Sequence, residues 1–391
     1  ACPAECVYCF GSMAAPVMAE SVIDATLDWI SELRSPGDSE PLRVSLHGGE
    51  ALAAGFSTIK RILEGLESRV GDRSRIQWAL QSNLWLVDDE MASLLARHGV
   101  SVGTSLDGPE AINDRQRGHG YFSRTMRGVE VLRKHGIAAS CIATISPWSL
   151  SRWEEVFEFF KNASIDFAIH PSVQSMGRLH PHAIDPDDYG GFLIRLLDRY
   201  KYHSHEIRIP TLDRMLKTVE SRQASECIHR DCLGMFLAVD PQGDIYSCQR
   251  FAGQHQYAMG NVLDKPSLQD LMTSPAAVFL GKWQHARDGV CAGCSEREVC
   301  RGGCPYQALT CSPAVDSADP YCKAYRRIFA HIRKSINEEI ASPENLEAVA
   351  EYPWDGSGNP LLGRGPLIDL VRDGPHPKEV YRNCQTILTA H

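Results

Sequence analysis

Between Cys9 and Cys227 this chain holds a single cysteine, Cys141, although its 391 residues contain fourteen. Thiols distributed so unevenly do not make a disulfide framework, and a chain of this length has core enough to fold without one. Any apolar run near the ~20 residues needed to cross a bilayer is also lacking, so no membrane partner is expected. A basic excess is absent: 40 Lys and Arg face 49 Asp and Glu, for a formal net charge of −9. That balance argues against a nucleic-acid partner. No secretory leader is visible, and with disulfides set aside the expected compartment is the cytoplasm. Internal repeats and low-complexity tracts are missing too, which excludes solenoid and linker classes.

What is present is cysteine in clusters. Cys2, Cys6 and Cys9 open the chain; Cys227, Cys232 and Cys248 form a second group; Cys291, Cys294, Cys300, Cys304, Cys311 and Cys322 form a third. Close spacings of this kind suit metal or cluster ligation.

Residues 17–173 alternate between two periodicities. AESVIDATLDWISELR places Val22, Ile23, Leu27, Ile30 and Leu33 on one helical face. FSTIKRILEGLESRV, DDEMASLLARHG, YFSRTMRGVEVLRKHG and WEEVFEFFKNAS read as further helices. PLRVSLHGGE, IQWALQSN, VSVGTSLDG, IAASCIATIS and FAIHPSV read as strands between them. Strands alternating with helices imply parallel βαβ units. The fold class expected is α/β: a partial (β/α)6 TIM-like barrel, followed by a small cysteine-rich α+β domain binding Fe–S clusters. Its first strand is expected upstream of Cys2. Ligand chemistry then belongs at the C-terminal ends of the strands, where HGGE, QSN and SLDG fall.

The expected organisation is a barrel over 1–184, a helical bridge over 185–226, a cluster domain over 227–340, and a Pro/Gly-rich extension over 341–391. In the third segment MFLAVDPQGDIYSC reads as a β-hairpin, and AYRRIFAHIRKSINEEI as a helix. The stretch from Cys291 to Cys322 is too short-range to build a core, so metal must hold it.

Three thiolates on a four-iron cluster leave one iron without a protein ligand. A small molecule carrying an amine and a carboxylate can chelate that iron, and the methionine end of S-adenosylmethionine carries both. An electron from the cluster then breaks a carbon–sulfur bond and releases a 5′-deoxyadenosyl radical. A zinc site with a distant fourth ligand is the plainer alternative.

CPAECVYC followed by HGGE, QSN and SLDGPEAINDRQRG resembles the radical S-adenosylmethionine superfamily across residues 2–175. The resemblance implies that Cys2, Cys6 and Cys9 hold the reducing cluster and that Tyr8 lies near the adenine. It implies that Gly48, Gly49 and Glu50 receive the methionine ammonium, with the glycines allowing close backbone approach. Asn83 and Ser105 sit at matching strand ends, Asp107 is placed for the ribose hydroxyls, and Arg117 for the methionine carboxylate. The second half resembles the SPASM extension of that superfamily. By that resemblance Cys227, Cys232, Cys248 and Cys304 hold one auxiliary cluster, and Cys291, Cys294, Cys300 and Cys322 a second. Three [4Fe-4S] clusters and S-adenosyl-L-methionine are therefore the expected cofactors. A pair of zinc knuckles is the alternative for the eight cysteines. Cys141 reads as a small buried hydrophobe. Cys311 is a lesser-fitting substitute for Cys322, and Cys384 a free thiol in the tail.

SPASM proteins of this type resemble two groups, sulfatase-maturing enzymes and peptide maturases. The sulfatase-maturing pattern has an aspartate after the cysteine of the hairpin; here Gln249 stands there, and an amide cannot accept a proton as a carboxylate does. Eight cysteines allow both auxiliary clusters full ligation, which favours a cluster that only takes an electron. The expected function is oxidative modification of a ribosomally made precursor peptide by side-chain cross-linking. An external flavodoxin- or ferredoxin-like protein is the expected electron donor. Formylglycine generation is one alternative and a non-catalytic Fe–S scaffold another. His170, Gln174, Arg178 and His180 follow the last barrel strand toward the substrate side, although His180 and His182 also read as a solvated loop. Tyr246 and Arg250 flank a cluster ligand, placed to tune it, to touch substrate, or for structural packing.

Overall fold

The computed structural model describes residues 2–11, 16–33, 40–177, 180–342, 365–373 and 386–389. Five strands, β1 (Leu42–His47), β2 (Ile76–Gln81), β3 (Ser101–Ser105), β4 (Ala139–Ile145) and β5 (Phe167–Pro171), pair in parallel in the order β5-β4-β3-β2-β1. They are the five strands the alternation predicts. Register runs from Leu42 opposite Ile76 to Leu46 opposite Leu80. Parallel strands need covered faces. The helices Glu20–Glu32, Phe56–Val70, Asp89–Arg97, Tyr121–Lys134 and Trp153–Ala163 provide that cover. Their buried stripes, such as Ile59, Ile62, Leu63 and Leu66, pack with Val44, Leu46, Trp78 and Leu80 in one core. The Asp88 carboxylate caps the helix Asp89–Arg97 by accepting from Met91 N at 2.8 Å, and Gly99 ends the turn after it at φ 61°.

Two helices in this half are absent from the apolar pattern, the single turn Pro147–Leu150 and the longer Glu110–Arg117. Glu110–Arg117 buries Ile112 but otherwise Asn113, Gln116 and Arg117, so polar atoms make most of its inner face. Pro109 precedes it and Gly118, at φ 103°, ends it.

Beyond β5 the helices Pro186–Tyr200 and Pro210–Ser221 lead to the predicted hairpin, β6 (Ala238–Val239) and β7 (Asp244–Tyr246), which β8 (Gly260–Asn261) extends. Asp240 closes the turn, its carboxylate accepting from Gln242 N and Asp244 N. The cysteine-rich stretch carries two short helices, Arg297–Cys300 and Pro305–Cys311. β9 (Thr386–Thr389) pairs in parallel with both β1 and β6 and joins them into one nine-stranded sheet. It lies on the edge of β1.

The two halves lock through the helix Cys322–Ile340. A Cβ on Gly190 would stand 2.9 Å from Ala324 Cα, so the helices Pro186–Tyr200 and Cys322–Ile340 touch backbone to backbone there. Tyr321 Oη donates to the carbonyls of Ser172 and Ile184, both at 3.1 Å, tying the start of that helix to the end of β5. No described helix is long and apolar enough to cross a membrane.

Candidate functional site

The N-terminal loop is held from the polar helix Glu110–Arg117. Val7 N donates to Gln116 O at 2.9 Å, and Cys9 N to Cys6 O at 3.1 Å. Tyr8, buried between them, donates its hydroxyl to Asp107. Cys2, Cys6 and Cys9 are consequently half-buried around one loop. Burial pushes the Cys6 thiol up to about 12; Arg117 opposes that, while Asp107, Cys9 and Cys2 add to it. A bound metal reverses such a shift by favouring the thiolate.

Gly48, Gly49 and Glu50 follow β1, Asn83 follows β2, Ser105 ends β3 and Asp107 lies two residues on. All therefore stand at one end of the sheet, the end beside the loop. Glu50 is buried, and burial raises its pKa. Its Oε1 accepts from Leu52 N at 2.9 Å and Ser82 Oγ at 2.7 Å, and its Oε2 from Asn83 N at 2.7 Å. A carboxylate accepts about four hydrogen bonds; with three made, Glu50 has one to give. Asn83 Oδ1 accepts from Trp85 N at 3.0 Å, whereas its Nδ2 is sealed from solvent without a partner. Ser105 Oγ accepts from Gln81 Nε2 at 3.0 Å.

Asp107 is placed differently from the expectation. It is wholly buried, and both oxygens are saturated: Oδ1 accepts from Arg117 Nη2 and Thr144 N at 2.8 Å each, Oδ2 from Gln116 Nε2 at 2.7 Å and from Tyr8. No lone pair remains for a ribose hydroxyl. Asp107 instead ties the cysteine loop to β4. The Arg117 guanidinium is pinned to it and lies 5.5 Å from the Tyr8 ring centroid and 5.3 Å from that of Tyr121, with Nε buried and unpaired. The sequence reading passed over Gln116, whose Nε2 also donates to Thr144 O at 3.2 Å.

A zwitterionic amino-acid end fits these groups. Glu50 has an acceptor left for an ammonium, and Asn83 Nδ2 and Arg117 Nε are orphan donors for a carboxylate. Buried donors without acceptors are rare enough to call for a ligand.

The eight cysteines of the second half fall into two electrostatically coupled groups. Cys232 feels Cys304 and Cys248, and Arg250 is attracted to Cys304, Cys248 and Cys227. Separately, Cys291 feels Cys294, Cys300 feels Cys322 and Cys291, and Cys322 feels Cys294 and Cys291. The second group borders a cavity of ≈ 230 Å³ that Cys291, Cys294, Cys322, Arg287, Asp319 and Arg326 help to line, room for far more than one ion. Among the described residues no three His, Cys, Asp or Glu side chains converge on a single-ion site.

Asp319, absent from the sequence reading, stands between the two groups. Its Oδ2 accepts from Cys304 N at 2.7 Å and its Oδ1 from Tyr321 N at 2.8 Å, and burial lifts its pKa to about 7. A Cβ on Gly303 would stand 2.4 Å from Asp319 Oδ2, and Gly303 has φ +82°, so RGGC requires glycine here.

The remaining expectations resolve individually. Gln249 stands after Cys248 with Oε1 buried and unpaired. His170, at the end of β5, is exposed as a residue, but its imidazole is crowded by protein atoms, and that desolvation, then Arg250 and Arg214, pushes its pKa down to about 3. Gln174 accepts from His180 N at 2.7 Å and donates to His180 O at 3.3 Å. His180 is buried, which corrects the solvated-loop reading; His182 is exposed. Arg178 and Cys384 lie outside the described residues. Tyr246 is buried and bonds Asp240 at 3.2 Å, a packing role. Cys141 is buried in the core, and Cys311 is exposed.

Comparison with known proteins accords with this layout. Residues 1–160 match the model of the radical SAM superfamily, and residues 227–295 that of the SPASM iron–sulfur cluster-binding domain. An uncharacterised protein of Methanothermobacter thermautotrophicus is 39% identical over 225 residues, 57% of this chain and 84% of that protein. A cysteine-type anaerobic sulfatase-maturating enzyme of Clostridium perfringens is 22% identical over 355 residues, 84% of this chain and 93% of that enzyme. Among solved structures, anSMEcpe with bound AdoMet and Cp18Cys peptide superposes with a TM-score of 0.77 at 20% identity, covering 86% of this chain and 95% of that one. Streptococcus suis SuiB bound to precursor peptide SuiA gives 0.60 at 16% identity, covering 81% and 72%. At such identities the structural likeness speaks for the fold: a curled parallel half-barrel followed by a cysteine-rich region. The chain belongs to the radical SAM superfamily and carries a SPASM iron–sulfur cluster-binding domain in its second half.

Proposed function

We propose that this protein oxidatively modifies a side chain of a ribosomally made peptide, forming a cross-link, with three [4Fe-4S] clusters and S-adenosylmethionine as cofactors. What supports the reading is the electrostatic coupling of Cys232 with Cys248 and Cys304, joined to Cys227 through Arg250, apart from that of Cys291, Cys294, Cys300 and Cys322, with Arg250 also reaching the N-terminal loop at Phe10. Bound at the N-terminal loop and at the two groups, these cofactors supply a carbon-centred radical to remove a substrate hydrogen atom and an acceptor for the electron then released.

The chain's own groups do the holding. Cys2, Cys6 and Cys9 are the ligands of the N-terminal site, Cys227, Cys232, Cys248 and Cys304 of the first auxiliary site, and Cys291, Cys294, Cys300 and Cys322 of the second. Glu50 takes the ammonium of the methionine end; Asn83 Nδ2 and Arg117 Nε take its carboxylate. Gly48 and Gly49 let it approach the backbone, and Ser105 borders the same end of the sheet. Tyr8 and Asp107 keep the loop in place. Gln249 cannot accept a proton. His170, at the end of β5, is neutral near pH 7 and, with its pKa lowered to about 3, is a weak base there. An external flavodoxin- or ferredoxin-like protein supplies the reducing electron.

Formylglycine formation on a sulfatase is the second reading, supported by sulfatase-maturating relatives that align along most of the chain. Mass spectrometry of candidate peptides after anaerobic turnover separates the two. Loss of two hydrogens with no aldehyde trapped by a hydrazide supports the cross-link. A trapped aldehyde at cysteine or serine replaces it with formylglycine.

A further inference from the structure

Arg250 stands between the first auxiliary thiol group and the N-terminal loop. Its guanidinium carbon lies 5.4 Å from the ring centroid of Phe10, the residue after Cys9, and 5.7 Å from that of Tyr306. The two rings are 6.2 Å apart and tilted by 58°, so they and Arg250 form one cation–aromatic cluster. Its backbone N–H bonds the Cys248 thiol, and its charge is attracted to Cys304, Cys248 and Cys227. Nη1 is sealed from solvent and has no acceptor. A buried charged donor among three thiols is left incomplete until an acceptor sulfur reaches it.

We infer that Arg250 sets the reduction potential of the auxiliary cluster held by Cys227, Cys232, Cys248 and Cys304, raising it so that this cluster accepts the substrate's electron. The inference rests on the cluster assignment of the proposed function. Its physical basis is simple. Reducing a cluster adds negative charge, and a fixed positive charge in a water-poor setting stabilises the reduced form more than the oxidised one. Arg250 cannot lose its proton, so its effect does not fade with pH. It is a positioning residue: it acts through the cluster. The competing role is mechanical, a cationic wedge holding Phe10 against Tyr306.

The test is a redox titration, followed by electron paramagnetic resonance, of the anaerobically reconstituted full chain. A variant with Cys2, Cys6 and Cys9 all changed to Ala isolates the two auxiliary signals. In that background Arg250→Gln is expected to lower the reduced-to-oxidised ratio of one auxiliary cluster at least tenfold at fixed potential, about 59 mV for one electron. The other auxiliary cluster should keep its midpoint. Arg250→Lys, which retains the charge, should recover more than half the shift. Phe10→Leu, which weakens the aromatic contact and keeps the charge, should leave the midpoint in place. Unchanged midpoints in Arg250→Gln at wild-type iron content overturn the inference, as does an equal fall in Phe10→Leu. If Arg250→Gln loses iron, Arg250→Lys decides: with its shorter, non-forked donor it should lie below wild type, and a midpoint at or above wild type overturns the inference. Failure of the cluster assignment is distinguishable, because the wild-type protein would then fail to bind four irons per auxiliary group before any variant is made.

Discussion

Changing Asp107 to asparagine tests the hub on which the N-terminal loop hangs. Asp107 has 0% exposure, and four donors converge on it: Arg117 Nη2, Thr144 N, Gln116 Nε2 and Tyr8 Oη. Asparagine keeps the shape but brings one neutral carbonyl and one amide that itself donates. Whichever way the amide turns, two of the four donors face another N–H. Arg117, only 6% exposed, loses its counter-ion. Breaking a buried ion pair from one side costs about 3–5 kcal/mol, because the remaining charge stays buried. We expect a loss of that size in urea unfolding, read from the midpoint at an unchanged m-value. Tyr8→Phe removes one charge-assisted hydrogen bond and should lose less, about 1.5–3 kcal/mol. The double variant should fall short of the sum, since both act on one network. Iron should be lost from the N-terminal site in each, with the auxiliary iron retained. A stability within 1 kcal/mol of wild type for Asp107→Asn would refute the hub argument.

Further outcomes follow from other buried groups. His229, with no exposure, sits edge-on to Tyr325 and Phe329 at 4.8 and 5.1 Å; neither ring nitrogen has a partner, and burial lowers its pKa to about 3. Below pH 6.5 the unfolded chain therefore takes a proton that the folded chain refuses. Stability should fall as pH drops, by about 2 kcal/mol at pH 5 from this group alone. His229→Phe should remove that part of the slope between pH 7 and pH 5 in urea titrations; an unaltered slope would contradict it. Asn83→Asp keeps the acceptor for Trp85 N but removes the orphan donor, so calorimetry should show S-adenosylmethionine binding at least ~10-fold weaker, the loss of a charge-assisted bond. Gly303→Ala forces a Cβ onto Asp319 at a positive φ, costing about 1–3 kcal/mol in thermal or urea unfolding; wild-type stability there would show that the turn relaxes freely.

What the sequence made legible was whatever repeats locally. Apolar spacing located the five parallel strands and the five helices covering them, because alternate strand residues must bury against those helices. Glycine and acid marked the ends of the helix Asp89–Arg97. The helix Glu110–Arg117 escaped because its inner face is polar: Asn113, Gln116 and Arg117 are buried to serve Asp107, not to fill a core. For the same reason Asp107 read as a ligand group. A motif shows that an acid sits after a strand; only the fold shows that its lone pairs are already spent. Asp319 carried no local signal, since its partners, Cys304 N and Tyr321 N, become neighbours through the packing of the cysteine-rich stretch. Arg250 read three ways from sequence, as tuning the cluster, touching substrate or packing, and its contact with Phe10, 240 residues away, exists only in three dimensions.

The proposed chemistry starts at the loop around Cys2, Cys6 and Cys9. The most direct measurement is release of 5′-deoxyadenosine from S-adenosylmethionine by the anaerobically reconstituted protein under strong reductant, with iron counted in parallel. The account predicts release from the wild type, about twelve irons per chain from three four-iron clusters, and no release from Cys6→Ala with the auxiliary iron in place. Zinc in place of iron, or release that continues at the wild-type rate in Cys6→Ala, would contradict it.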